Sequence, residues 1–237
     1  MKTKILKVII LALVTIFTIS CSKSDNTSTV DLSIKKPKKW TRINSSGTNF
    51  VYLLEYSGNK LTKANLNGSD ILFTYNSDNK LIKILEASQT KNLTYTNNNL
   101  TKKEGLIIGG LLTIIFSYNN TNQVIKTESY RDLTTLTKTV LYEYDTNSNV
   151  KKSTSSSETI IRTFDDKNHP FKNVITGLEL GILRNEWDGN YINNPITARN
   201  ATTNYTISYE YDSDNFPTKR ILKNANGTIA YTDYYEY

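Results

Sequence analysis

From residue 48 to the last residue, the chain repeats one short pattern. An aromatic residue closes an extended run, a polar cluster of Asn, Asp and Ser follows, and an apolar residue comes next with a lysine close behind. The copies begin at Tyr56 (YSGNKLTK), Tyr75 (YNSDNKLIK), Tyr95 (YTNNNLTKK), Tyr118 (YNNTNQVIK), Tyr144 (YDTNSNVKK), Phe164 (FDDKNHPFK) and Tyr211 (YDSDNFPTK). A last run, Tyr231 to Tyr237, has no turn after it. Five of the six intervals between these aromatics span 19 to 26 residues, enough for two strands of ordinary length and two turns. Each copy therefore reads as a β-hairpin unit.

The strands before the turns alternate as half-buried strands do. Ile207, Tyr209 and Tyr211 fall on one face and Thr206, Ser208 and Glu210 on the other; Val140, Tyr142 and Tyr144 against Thr139, Leu141 and Glu143 repeat the pattern. Tyrosine suits such a face because it packs on a pleated surface and can hydrogen-bond at its tip. The Asp or Asn that follows can bond backbone amides further along and so start the turn. Asn also tolerates positive φ, which lets the turns manage with ten glycines in the whole chain. Lysine recurs seven or eight positions after each aromatic, at Lys63, Lys83, Lys102 or Lys103, Lys126, Lys152, Lys172 and Lys219. In stacked hairpins these line one rim, read here as a solvated face that discourages edge pairing rather than as a cationic recruiting surface.

The Tyr-x-Tyr-Asp runs at 142–145 and 209–212, with their Asn-rich turns, resemble the YD repeats of Rhs-type proteins. Together with the amino terminus described below, the layout is similar to Bacteroidota lipoproteins described as porin-like. The resemblance covers residues 48–237, though most copies lack the YD aspartate and nearly all lack its glycine. It implies an all-β, antiparallel meander curled or closed into a barrel, and no catalytic residues. About 14 to 15 strands in one open sheet would leave two long edges, which closure removes.

Two stretches break the pattern. Gly105 to Phe116 is apolar throughout and has Gly109-Gly110 at its centre, which predicts a tight hairpin between strongly buried strands. Tyr211 stands 47 positions after Phe164, more than twice the usual interval, which predicts an insert at about 173–204 that packs as a plug across one barrel mouth. Its Trp187, Asp188 and Tyr191 form a polar-aromatic cluster of the kind that contacts a sugar ring, and they are the candidate ligand residues.

The first twenty residues carry Lys2, Lys4 and Lys7 before an apolar run without acids, the layout of a secretory signal. Thr18-Ile19-Ser20-Cys21 resembles a lipobox, with Cys21 as the lipidated residue and 21–47 as a flexible tether. The apolar run is short for a membrane-spanning helix. The expected location is the bacterial outer membrane, held by lipid, facing either the periplasm or the outside. Cys21 is the one cysteine, so neither disulfide nor thiolate chemistry is available to the domain.

Without the leader, 26 basic residues stand against 22 acidic, a net charge of +4, and the densest basic run, Lys35 to Lys39, lies in the expected tether. That distribution argues against a nucleic-acid reader. His169, the sole histidine, precedes Pro170 in a turn and reads as a satisfied or exposed turn residue rather than a general base. The pairs Asp165-Asp166 and Asp212-x-Asp214 lack the ligand set of a calcium loop and read as turn formers. No nucleophile elbow, zinc spacing or phosphate loop is present, so neither a cofactor nor a metal is expected. The expectation is a monomeric, non-enzymatic envelope protein that binds a glycan or another envelope protein, with an outer-membrane pore as the rival reading.

Overall fold

In the computed structural model, residues 34–107, 110–174 and 192–237 are described. They form sixteen strands. The first six are β1 (Lys39–Asn44), β2 (Asn49–Ser57), β3 (Lys60–Leu66), β4 (Ser69–Tyr75), β5 (Leu81–Glu86) and β6 (Gln89–Thr96). Then follow β7 (Asn99–Ile107), β8 (Gly110–Tyr118), β9 (Val124–Arg131), β10 (Thr135–Tyr144), β11 (Val150–Ser155) and β12 (Thr159–Phe164). The last four are β13 (Pro195–Arg199), β14 (Asn204–Tyr211), β15 (Pro217–Lys223) and β16 (Ile229–Glu236). Every strand pairs with its sequence neighbours, and β1 pairs antiparallel with β16, so the meander closes into a barrel without edges.

The repeat unit explains how the sequence builds this wall. The aromatic of each of the seven copies coincides with a shift of register, as at Glu55/Tyr56, Thr74/Tyr75, Glu143/Tyr144 and Glu210/Tyr211. The aromatic faces the first apolar residue of the next strand, Tyr75 against Leu81 and Tyr144 against Val150, with both inside the barrel. One residue then bulges, which returns the following lysine to the outer face.

The turn chemistry is equally regular. Asp145 Oδ1 accepts from the amides of Asn147 and Asn149, both at 2.9 Å, and Asp212 Oδ1 accepts from those of Asp214 and Phe216 at 2.9 and 3.0 Å. Asn76 and Asn119 do the same in their turns. Four positions after the aromatic, Asn79, Asn122, Ser148 and Asn215 hold φ between 58° and 64°. Asparagine fills three of these four places, and it pays little for the left-handed conformation.

The tyrosine hydroxyls then tie one copy to the one before it. Tyr75 donates to the carbonyl of Leu61 at 2.9 Å, Tyr95 to Leu81 at 3.0 Å, Tyr118 to Leu100 at 2.7 Å and Tyr144 to Val124 at 2.8 Å. At the seam Tyr56 donates to Pro37 and Tyr237 to Pro217. Lys36, Lys60 and Lys80 lie over the rings of Tyr56, Tyr75 and Tyr95, each within 6 Å of the ring centre.

This ladder has a pH consequence. Burial pushes the Tyr144 phenol up to about 12, outweighing its bond to Val124, and burial also raises Tyr52. A tyrosine whose pKa is higher folded than unfolded stabilises the fold fully below its unfolded value near 10, and that contribution is lost as pH rises towards the folded value. Chemical denaturation from pH 8 to pH 12 is expected to show stability falling above about pH 10. A flat profile would mean that the phenols ionise freely in the folded barrel.

Several expectations need correction. The strand count is sixteen, because β1 lies inside the segment expected to be tether. Lys35 Nζ sits 2.7 Å from Asp212 and 2.6 Å from Asp214, and Trp40 is 2 % exposed in the core. The lysine run hid a strand whose inward positions are Trp40 and Arg42, so its apolar period was too weak to read. The break in the repeat is shifted as well: it runs from Asp165 to Asn194, and Pro195–Arg199 of the expected insert is barrel strand β13. Its inward residues, Pro195 and Ala198, carry no aromatic marker.

Nor are the strands flanking Gly109-Gly110 strongly buried. Ile107 pairs with Gly110 as a tight hairpin requires, yet Leu106 is 60 % exposed, because the strands carry apolar residues on both faces of a wall with a single interior. Most of the lysine series lies on the outer face beside acids. Lys63 sits 3.5 Å from Glu55 and 3.1 Å from Asp70, Lys152 2.7 Å from Glu143, and Lys219 2.8 Å from Glu210. Lys172 instead bonds Asn168 within the insert.

Candidate functional site

The lumen has two different halves. Around β2 to β7 it is filled by aliphatic residues, with Leu54, Leu61, Ala64, Leu81 and Ile84 in one buried cluster. Phe171 and Val174, from the first part of the insert, join that cluster. Both flanks of the insert are fastened at the tyrosine end. Asp165 Oδ1 accepts from the amides of Lys167 and Asn194 at 3.0 and 3.1 Å, and its other oxygen accepts from the Tyr211 hydroxyl. Asn149 Oδ1 accepts from the amides of Ile192 and Asn193, both at 2.9 Å.

His169 is part of this closure. It is 6 % exposed and its Nδ1 accepts from the Phe171 amide at 3.3 Å, so it is a buried, turn-forming residue. Phe171 meets the edge of Trp40 with ring centres 6.4 Å apart. Trp40 itself stacks on Tyr52 at 4.6 Å and on Tyr235 at 6.4 Å.

Next to this stack lies a buried charge cluster. Asp233, on the inner face of β16, is wholly buried. Its Oδ1 accepts from Trp40 Nε1 at 3.0 Å and Arg42 Nε at 2.8 Å, and its Oδ2 from Arg42 Nη2 at 3.1 Å. Arg220 Nε is 2.9 Å from the same Oδ2, and Arg220 Nη2 donates to the Tyr231 hydroxyl at 2.7 Å. The Arg42 guanidinium lies 4.0 Å from the centre of the Tyr231 ring. Burial works against the charge on Arg42, but the hydrogen bonds and charge of Asp233 outweigh it, and its pKa stands above the ordinary value.

Arg42, Arg220 and Tyr231 of this cluster form one wall of a cavity of about 440 Å³ in the other half of the lumen, between β12 to β16 and β1. Arg42, Arg162 and Arg220 line it from inward strand positions, Arg199 adjoins it at the end of β13, and no acidic residue is among the described lining residues. Ile160, Ala198, Ile207, Leu222 and Ala230 give it apolar walls. Asn200 and Asn224, from turns at the end opposite the tyrosines, edge its mouth. Arg162 is 7 % exposed and donates to Ser153 Oγ at 3.2 Å.

The sequence reading did not find this site. Its signal was present: of the chain's six arginines, Arg42, Arg162 and Arg220 occupy inward positions of strands, each with an aromatic or aliphatic residue two positions away on at least one side, Trp40, Ile160 and Leu222. The residues expected to contact ligand, Trp187, Asp188 and Tyr191, lie outside the described residues, as does Cys21. Among the described residues no cluster of three or more His, Cys, Asp or Glu is arranged to hold a metal ion.

No protein-family model matches the chain, and no curated protein matches it. Solved structures do. A porin-like protein from Bacteroides uniformis ATCC 8492 superposes with a TM-score of 0.61 at 13 % identity, over 84 % of this chain and 97 % of that one. A porin-like protein from Bacteroides vulgatus ATCC 8482 gives 0.56 at 12 %, over 86 % and 99 %. The Photorhabdus luminescens Tc holotoxin pore matches at 16 % identity over 83 % of this chain and 12 % of that one, with a TM-score of 0.26 that carries no argument. At these identities the likeness is one of fold, an all-β antiparallel barrel.

Proposed function

We propose that the chain is a lipid-anchored protein of the bacterial envelope that acts without catalysis, by binding a ligand in the lumen of its barrel. One observation carries this reading: the lumen is filled on one side and at the tyrosine end by Leu61, Trp40 and Phe171, yet keeps a cavity of about 440 Å³ whose mouth lies at the other end. A concave, mainly apolar site with a few convergent polar groups is the usual form of a small-molecule site. The anchor at Cys21 and the outer-membrane location rest on the leader and lipobox, and the likeness to the two porin-like proteins is in keeping with an envelope role.

Two features weigh against the alternative of a membrane pore. A strand crosses a bilayer in about 9 to 11 residues, whereas β13 has 5 and β1, β5, β11 and β12 have 6 each. The outer face also carries the pairs Glu55–Lys63, Glu143–Lys152, Glu210–Lys219 and Lys39–Glu236 around the barrel, where a lipid-facing wall needs an apolar band.

The test is to prepare the chain from Ser22 onward, which contains all sixteen strands, without detergent, and to screen envelope-derived small molecules by thermal shift. A β-rich monomer stabilised by a ligand is expected, with the shift abolished in Ala198→Trp, which fills the cavity. A protein that stays dispersed only in detergent and conducts ions across a planar bilayer would overturn the reading.

A further inference from the structure

We propose that the cavity takes an uncharged ligand with a long apolar body, held by its hydrocarbon surface rather than by a charged head. The inference rests on the reading of the cavity as the binding site and adds the chemical class of the ligand. It follows from the polar groups that border the space, which are engaged within the protein. Arg42 donates from Nε and Nη2 to Asp233 at 2.8 and 3.1 Å, and the face of its guanidinium lies 4.0 Å from the centre of the Tyr231 ring. Arg220 is held by Asp233 Oδ2 and donates to the Tyr231 hydroxyl, while Arg162 donates to Ser153 Oγ. Each of these three arginines has further interactions in the protein besides those. Arg199 adjoins the space from an outward register position opposite Ile161 and is exposed, so solvent reaches its charge.

The mouth is occupied in the same way. Asn200 Oδ1 accepts from the amides of Thr202 and Thr203 at 2.9 and 2.7 Å and from the Thr203 hydroxyl at 2.8 Å, and its Nδ2 donates to Glu158. Asn224 Nδ2 donates to the Thr228 hydroxyl at 3.0 Å. A ligand that hydrogen-bonds along its length would have to break such bonds to make its own, an exchange with little net return. A charged head would lose its hydration on entry, and the guanidiniums that could replace that hydration already serve Asp233, Tyr231 and Ser153.

What the interior offers without competition is aliphatic surface. Ile160, Ala198, Ile207 and Leu222 form a band across four consecutive strands, β12 to β15. Tyr205, opposite Ala198, differs from the other polar lining residues: its hydroxyl makes no hydrogen bond to the described residues, and it suits one small neutral group at the end of the ligand.

Calorimetry on the chain from Ser22 onward tests this with hexanol, octanol and decanol, and with decanoate and decylammonium at neutral pH. Each two added methylenes should tighten binding about tenfold, so decanol should bind about a hundredfold tighter than hexanol. Decanoate should bind no tighter than decanol, and decylammonium at least about tenfold more weakly. Ala198→Trp should weaken decanol by about tenfold or more, and the milder Ala198→Leu by a smaller factor, with circular dichroism showing an intact barrel in each. The leucine variant keeps the test decisive where tryptophan disturbs the fold.

An affinity that does not rise with chain length, or decanoate bound tenfold or more tighter than decanol, would overturn the apolar class; if the Ala198 variants weaken that binding, the cavity still stands as the site. Decanol binding that persists undiminished in both Ala198 variants would place the ligand elsewhere on the protein and overturn the inference. Binding of none of the alcohols would also overturn it, while the thermal-shift screen decides separately whether the cavity binds anything.

Discussion

Asp233→Asn is expected to destabilise the barrel by about 3 to 5 kcal/mol, the range for breaking a buried ion pair from one side. The change is nearly isosteric, so it removes charge without opening a cavity. Arg42 and Arg220 would then face each other across a neutral amide, and they already repel in the native site, where Arg220 lowers the Arg42 pKa. The amide can also accept on one atom only, so either Trp40 and Arg42 Nε lose their acceptor at Oδ1 or Arg42 Nη2 loses its acceptor at Oδ2, the oxygen that also faces Arg220 as an ion pair. Urea unfolding monitored by tryptophan fluorescence measures the loss.

The control is Glu143→Gln, which removes one charge from an outer pair with Lys152 whose side chains are 54 % and 37 % exposed. That loss should be a small fraction of the Asp233→Asn loss, since solvent screens an exposed pair. If Asp233→Asn costs no more than Glu143→Gln, the two guanidiniums are held by something other than Asp233, and the account of this wall fails.

What the sequence discloses and what it hides follow from the range of the interactions. The turns are local: Asp145 or Asp212 meets amides two and four residues on, and Asn122 or Asn215 takes the left-handed place, so residue type and spacing were enough. The inward face of Tyr142 and Tyr144 follows from period two. Seam formation is not local. β1 meets β16 across nearly the whole chain, Lys39 opposite Glu236 and Trp40 opposite Tyr235, and nothing in KKPKKWTRIN marks the partner. The tyrosine hydroxyls share this limit, because their carbonyl acceptors are 14 to 20 residues away and depend on the register.

The cavity was hidden for a related reason. A hydrophobic period treats Arg162 and Arg220 as breaks in an apolar face, whereas the structure uses them as lining. The polar-aromatic cluster that the sequence suggested in the insert lies outside the described residues; the described geometry brings together residues of β1, β12, β13 and β15, which are far apart in the chain.

The seam supplies the second large effect. Trp40→Ala is expected to cost about 3 to 5 kcal/mol, as truncation of a buried aromatic does. Trp40 is 2 % exposed, stacks between Tyr52 and Tyr235, and holds Asp233 through its indole N–H, so it joins the aliphatic half of the lumen to the charged half. It also sits on the closing strand, so the loss should fall unevenly. Hydrogen exchange is expected to quicken in β1, β2 and β16 before β5 to β9, since the seam can open while the remaining hairpins stay paired. Thr41→Ala, one residue on and facing outward, should change stability by less than about 0.5 kcal/mol. Uniformly faster exchange across the whole barrel would show that the wall opens as one unit and that the seam is no weaker than any other pair of strands. If the seam does open first, Arg42 leaves the cavity with β1, and Trp40→Ala should weaken ligand binding there although Trp40 is not among the cavity's lining residues.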